Sequence, residues 1–174
     1  MSEDYTKIKI NPIFNPIKKI FDFYLLGIGF VGMPSFQKEF LKTNPGIKPL
    51  INDFNKTVNL QFDGTHVRLE SKLYYANIGR LMAISIFDFL QFSKYNNQLC
   101  NEEIYRFAKH IRNGSAHNNR FNFYKDDFIE KPAKWKNKTI EFLLKGKEVI
   151  PKFINPIELI FLMSDISKLI DIKK

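Results

Sequence analysis

A chain of 174 residues is the size of one domain and on folding buries roughly two-thirds of its unfolded surface. Apolar residues make up 44%, with 18 Phe and 7 Tyr, enough for a real and markedly aromatic core. A formal charge of +9 draws phosphate-bearing partners without separating RNA, DNA and membrane surfaces; a single cysteine, Cys100, excludes an internal disulfide and a Cys-x-x-Cys metal site and points to a reducing cytoplasm.

Met1-Ser2-Glu3-Asp4 lacks the basic-then-apolar layout of a signal peptide. The most apolar run, Phe23 to Met33, falls short of the about 20 residues a bilayer needs, so a membrane is not an expected partner. Pro16 to Met33 reads as a first helix, opened by Pro16 where no N–H bond is lost and closed by Pro34. Gly27-Ile28-Gly29 has no strand before it, so helix packing suits it better than a nucleotide loop. Ser35 to Lys42 adds a short helix. Asn44 to Thr65 reads as connection with one helical piece near Leu50 to Leu60, and His66 lacks a second ligand at metal spacing.

From Val67 to Tyr95 the pattern predicts one long helix of about 40 Å. Leu69, Leu73, Ala76, Ala83, Phe87 and Leu90 mark one seam, Tyr74, Ile78, Leu81 and Phe92 a second, Met82, Ile86 and Phe89 a third. A helix apolar on so many sides is expected to be buried against several neighbours, as the central member of a bundle would be. The next helix starts with Asn101 as its cap, Glu102 and Glu103 favouring its positive end. Ile104, Phe107, Ala108 and Ile111 face inward, and Asn113-Gly114 is the expected stop.

Residues 135–150 suggest a hairpin turning at Gly146. Lys131, Lys134, Lys136 and Lys138 around Trp135 suit a solvated strand edge with the indole turned inward better than a base-stacking surface. Asp126, Asp127 and Glu130 read as an exposed loop. The last helix, residues 156–172, is signalled by Asn155 as cap, Pro156 at the first position and Glu158 as the capping-box carboxylate. The expected fold is one mainly α domain over 1–174: a helical bundle with a small β-hairpin before the C-terminal helix.

The chemistry-bearing run is Arg112-Asn113-Gly114-Ser115-Ala116-His117. Five steps along an unbroken helix rotate by about 140°, so Arg112 and His117 would diverge. They converge if the helix breaks at Asn113-Gly114-Ser115, with Ser115 capping a segment whose N–H groups make an anion corner beside His117. Alternatively, two subunits present the run to each other across a twofold axis. RNA brings its own nucleophile, the ribose 2′-OH, so cleavage asks only for a group that moves protons and a cation for the charged phosphorane. DNA, lacking that hydroxyl, is excluded. Asn113 would orient the histidine or a phosphate oxygen. Lys109, His110, Asn118 and Arg120 form the expected RNA-contacting set. No metal and no cofactor is expected, since His110 and His117 lack further ligands. The plainer alternative makes Arg112 a helix-end cation and His117 a surface histidine.

The run from Ile111 to Asn118 resembles the R-x-x-x-x-H signature of the HEPN superfamily. The resemblance implies an α-helical bundle, a homodimer or pseudo-dimer with paired motifs at its interface, and often metal-independent endoribonuclease activity; attack by the 2′-OH would leave a 2′,3′-cyclic phosphate and a 5′-hydroxyl. It carries over Arg112 and His117 as catalytic residues and Asn113 as the polar support. It also implies a toxin or effector of a bacterial defence or stress system, with an antitoxin or regulatory protein as a further partner. Asn119 stands where one subgroup has the tyrosine of H-x-Y, so regulation by tyrosine modification is not expected. A catalytically silent HEPN-like module that binds RNA or a partner protein is the competing reading.

Overall fold

A computed structural model describes residues 8–31, 34–43, 45–49, 52, 67–123 and 132–173. The described chain is mainly helical with one two-stranded antiparallel sheet. It divides into two compact units, residues 19–75 and residues 1–18 with 76–174. His66, the acidic residues Asp126, Asp127 and Glu130, Lys131 and most of the 44–65 connection lie outside the described residues.

In the 19–75 unit, helix α1 (Asn15–Val31) continues from the other unit and α2 spans Pro34–Thr43. Both match the expected helices to within about two residues, because Pro16 and Pro34 each suit a first turn. Phe21 is buried and stacks on Tyr24 at 6.3 Å. Burial raises the Tyr24 phenol above its ordinary value, and Tyr75 adds to the shift.

The larger unit holds the candidate site. Helix α3 (Val67–Gln91) enters it at Ala76, followed by the single turn α4 (Asn96–Leu99), α5 (Glu103–Ala116), strands β1 (Ala133–Trp135) and β2 (Lys138–Ile140), and α6 (Pro156–Ile172). Leu90, Phe107, Ile111, Phe121, Ile154 and Leu159 are among its fully buried side chains. The N-terminal segment is tied to α6: the Asn11 N–H donates to Ser167 Oγ at 2.7 Å, and Ser164 Oγ donates to the Lys9 carbonyl at 3.0 Å.

Helix α6 is built as the sequence implies. The Glu158 N–H donates to Asn155 Oδ1 and the Asn155 N–H to Glu158 Oε2, both at 2.9 Å, so two otherwise orphaned donors are satisfied. Leu159, Met163, Ile166 and Ile170 are all buried.

Three expectations change. Helix α3 ends at Gln91, not at Tyr95, and the second seam is not core: Ala76, Met82, Ala83, Ile86, Phe87 and Leu90 are buried, whereas Leu81 is 62% exposed and Phe92, just past the helix end, 84%. Its neighbours in this unit lie on one side, where Phe87 meets Tyr105 edge-on at 5.1 Å and Gly79 faces Pro156 and Ile150. Second, Asn101 does not cap α5. Glu102 is the N-cap, without a side-chain cap bond; its carboxylate is instead bonded to Lys173 just past α6.

Third, the hairpin runs over 133–140, not 135–150. Ala133 pairs with Ile140 and Trp135 with Lys138, so the turn falls at Lys136-Asn137, with Lys136 at φ 50°. Gly146 (φ 79°) makes a different turn: the chain there bridges Arg120 to Glu148 antiparallel, with Phe121 N–H to the Lys147 carbonyl at 3.0 Å. Pairing with the chain after α5 leaves residues 142–150 unable to serve as a hairpin arm. Trp135 is turned inward as expected, 5% exposed, its Nε1 donating to Asp165 Oδ2 at 3.0 Å. Among the described residues, no helix is long and apolar enough to cross a membrane.

Candidate functional site

Helix α5 does not break at Asn113-Gly114-Ser115. It runs unbroken from Glu103 to Ala116, and the stop comes at His117 (φ −100°, ψ 78°), followed by Asn118 and Asn119 at φ 55° and 57°. Gly114 serves packing instead of positive φ. A Cβ built on it would lie 2.6 Å from Val149 Cγ2 and 3.3 Å from the Arg120 carbonyl oxygen, so glycine lets the 120–121 and 147–149 segments approach the helix.

Ser115 therefore caps nothing. It is fully buried inside the helix, its Oγ has no hydrogen-bond partner among the described residues, and its carbonyl accepts from Arg80 Nε at 2.9 Å. The anion corner expected beside His117 is absent for the same reason: a helix ends there and none begins. The asparagines supply what the glycine does not. Asn119 Nδ2 donates to the Ile150 carbonyl and its Oδ1 accepts the Ile150 N–H at 3.0 Å, fixing the left-handed turn that asparagine tolerates better than most residues.

On an unbroken helix, Arg112 and His117 leave α5 about 140° apart. Arg112 is half-buried against α3, with Nε 3.3 Å from Asp88 Oδ1 and Nη1 3.4 Å from Asn113 Oδ1. A guanidinium carries five N–H donors, so three remain. His117 is exposed at the helix end.

Arg112 and Asn113 line an open groove of about 600 Å³, walled by the ends of α3 and α4 and by one face of α5. Phe87 and Tyr105 are among its lining residues, and Arg106 and Lys109 carry further positive charge along it. Lys109 is exposed and makes no hydrogen bond or ion pair to the described residues. Arg106 is anchored, Nε to the Pro132 carbonyl at 2.9 Å and Nη1 to the Asn101 carbonyl at 2.7 Å. The Tyr105 hydroxyl donates to Asn96 Oδ1. Burial pushes this phenol above its ordinary value and nearby Cys100 adds to the shift, so it stays protonated and able to donate at neutral pH.

The expected site residues thus fall in two places. Lys109, Arg112 and Asn113 share the groove. His110 is half-buried with its ring edge toward Phe123 at 5.8 Å, and Arg120 turns its Nη1 to the Gly146 carbonyl at 2.7 Å. His117 and Asn118 stand exposed beyond the end of α5, outside the groove lining. Sequence reasoning missed Asp88, Arg80, Gln91, Asn96 and Tyr105. The signal for the first two was present: each is a charged residue interrupting the apolar run of α3, and such a residue needs a partner. Among the described residues, no three His, Cys, Asp or Glu side chains gather as a metal site.

No protein-family model matches the chain, and no curated protein or solved structure matches it either.

Proposed function

We propose that the protein is a metal-independent endoribonuclease whose active site is completed by a second copy of the chain. The observation that carries this is Arg112, held by Asp88 at the rim of a basic groove with three guanidinium N–H groups unspent. His117 cannot reach the same phosphate from its own helix, because the unbroken α5 turns it away; a twofold partner supplies it. The R-x-x-x-x-H resemblance supports the same arrangement.

In this mechanism the 2′-OH loses its proton to one His117 and attacks the adjacent phosphorus. The pentacoordinate phosphorane carries charge on its equatorial oxygens, where the Arg112 fork donates. The P–O5′ bond then breaks, and the departing oxygen takes its proton from the same His117, now an imidazolium. The products are a 2′,3′-cyclic phosphate and a 5′-hydroxyl. Asn113, beside Arg112, supports the guanidinium geometry, and Lys109 adds charge for the flanking phosphate. A toxin or effector role in bacterial defence, a cytoplasmic setting and a regulatory protein partner go with this reading.

Incubation of the full chain with single-stranded RNA in EDTA tests it, beside Arg112→Ala and His117→Ala. Cleavage lost in both variants supports the enzyme. RNA bound but not cut supports the silent module, which the Asp88 carboxylate favours by partly neutralising Arg112.

A further inference from the structure

One face of helix α3 carries a pattern that reads the same in both directions. Ser85 stands at its centre, with Leu81 and Phe89 four residues to either side and Ile78 and Phe92 seven. At about 100° per residue, all five fall within about 40° of one line along the helix. Leu81, Phe89 and Phe92 are exposed, and Ile78 and Ser85 half-buried. Phe92 sits just past the helix end yet still closes its last turn, its N–H bonded to the Asp88 carbonyl at 3.0 Å. A different protein calls for no such palindrome. A second copy does, because a twofold interface sets residue i against j and j against i.

We propose that α3 packs antiparallel against α3 of a second copy, with the twofold axis at Ser85. This rests on the reading that a second copy completes the site, and it names the face that copy uses. Leu81 then meets the partner's Phe89, and Ile78 the partner's Phe92, while the small serine lets the two backbones cross closely.

The same packing brings the two halves of the site together. A twofold axis perpendicular to both helices keeps α5 on the same side of the α3 pair in each copy but reverses it along the pair. Asp88 holds Arg112 three positions after Ser85, and Arg80 holds the Ser115 carbonyl five positions before it. The partner's Arg80–Ser115 contact therefore comes level with the Asp88–Arg112 contact, their α3 residues about 3 Å apart along the helix. The partner's His117 follows two residues after that serine, beside Arg112. The partner's Arg80 also stands level with Asp88, so the charges across the interface are complementary.

The test measures the mass of the full chain by light scattering during size exclusion, beside Leu81→Asp and Phe92→Asp. The parent should run at twice the 20.5 kDa of one chain. Each variant should fall to half the parent mass, because an unpaired carboxylate opposes burial in the contact. Both side chains are exposed in the single copy, so the variants should keep the parent's helical circular dichroism. Ser85→Cys in a Cys100→Ser background gives a reading that does not rest on disruption. A thiol on the axis faces its own copy, so a short bis-maleimide should convert most of the protein to covalent dimer, and adding Leu81→Asp should abolish that product. A monomeric parent, aspartate variants that remain dimeric, or a Ser85→Cys chain that does not cross-link overturns the proposal. If the parent cuts RNA in EDTA while the aspartate variants stay dimeric and active, this interface falls and the ribonuclease stands. If both variants become monomers and the cross-link forms but RNA is never cut, the ribonuclease falls and the interface stands.

Discussion

Asp88 on α3 meets Arg112 on α5, Oδ1 to Nε at 3.3 Å, and so holds a guanidinium that lines the groove. Both side chains are about a third exposed, 38% and 33%, so the pair contributes only about 0–1 kcal/mol to folding. Its consequence lies in positioning. Asp88→Asn keeps the shape while removing the charge that competes with a phosphate for Arg112. The variant should unfold within about 1 kcal/mol of the parent in urea and bind single-stranded RNA up to about tenfold more tightly at low salt. Weaker RNA binding would show that Asp88 does not compete for Arg112.

Gly114→Ala should destabilise the larger unit by about 1–3 kcal/mol, because the new methyl would sit 2.6 Å from Val149 Cγ2 and Val149 is fully buried. Adding Val149→Ala opens space for it, so the double variant should lose less than the two single losses summed. Urea unfolding of the four proteins in this cycle measures the coupling. Additive losses would mean the two groups do not meet.

Trp135→Phe preserves packing on Phe107, whose ring lies 5.7 Å away, and removes the Nε1 bond to Asp165. The expected loss is about 1.5–3 kcal/mol, that of a hydrogen bond to a charged group. RNA affinity should stay within about twofold, since the indole is 5% exposed and has no free face for a base. A tenfold drop in RNA binding by a still-folded variant would place Trp135 in the interface.

Asn155→Ala should cost about 1 kcal/mol, measured by thermal or urea unfolding, through loss of one half of the capping box. Glu158→Ala should cost more than a simple cap residue, because its carboxylate also pairs with Lys138 Nζ at 3.2 Å and ties α6 to β2.

The C-terminal helix was legible to the residue because its signals are local: a capping pair, a proline and an apolar stripe lie within one short window. The long helix was legible at its start but not at its end, expected at Tyr95 and found at Gln91, nor in its burial, since Leu81 and Phe92 match the periodicity of core residues yet are exposed. Gly114 misled for a related reason. A glycine after asparagine near a helix end reads as a stop, whereas here the missing side chain admits Val149, a contact 35 residues away that no local pattern records. The helix instead stops at His117, and the left-handed Asn118 and Asn119 turn the chain after it. Arg112 was found from its motif, but the groove beside it joins α3, α4 and α5 and exists only through packing.

In the proposed enzyme Arg112 and His117 act on one phosphate from different protomers. The most direct measurement mixes equal amounts of Arg112→Ala and His117→Ala proteins and follows cleavage of single-stranded RNA in EDTA. Each variant alone should be inactive, and the mixture should regain roughly one quarter of the parent rate, since about half the dimers are mixed and each holds one whole site. No recovery on mixing, or full activity in either variant alone, would show that the two residues do not share a site across the dimer.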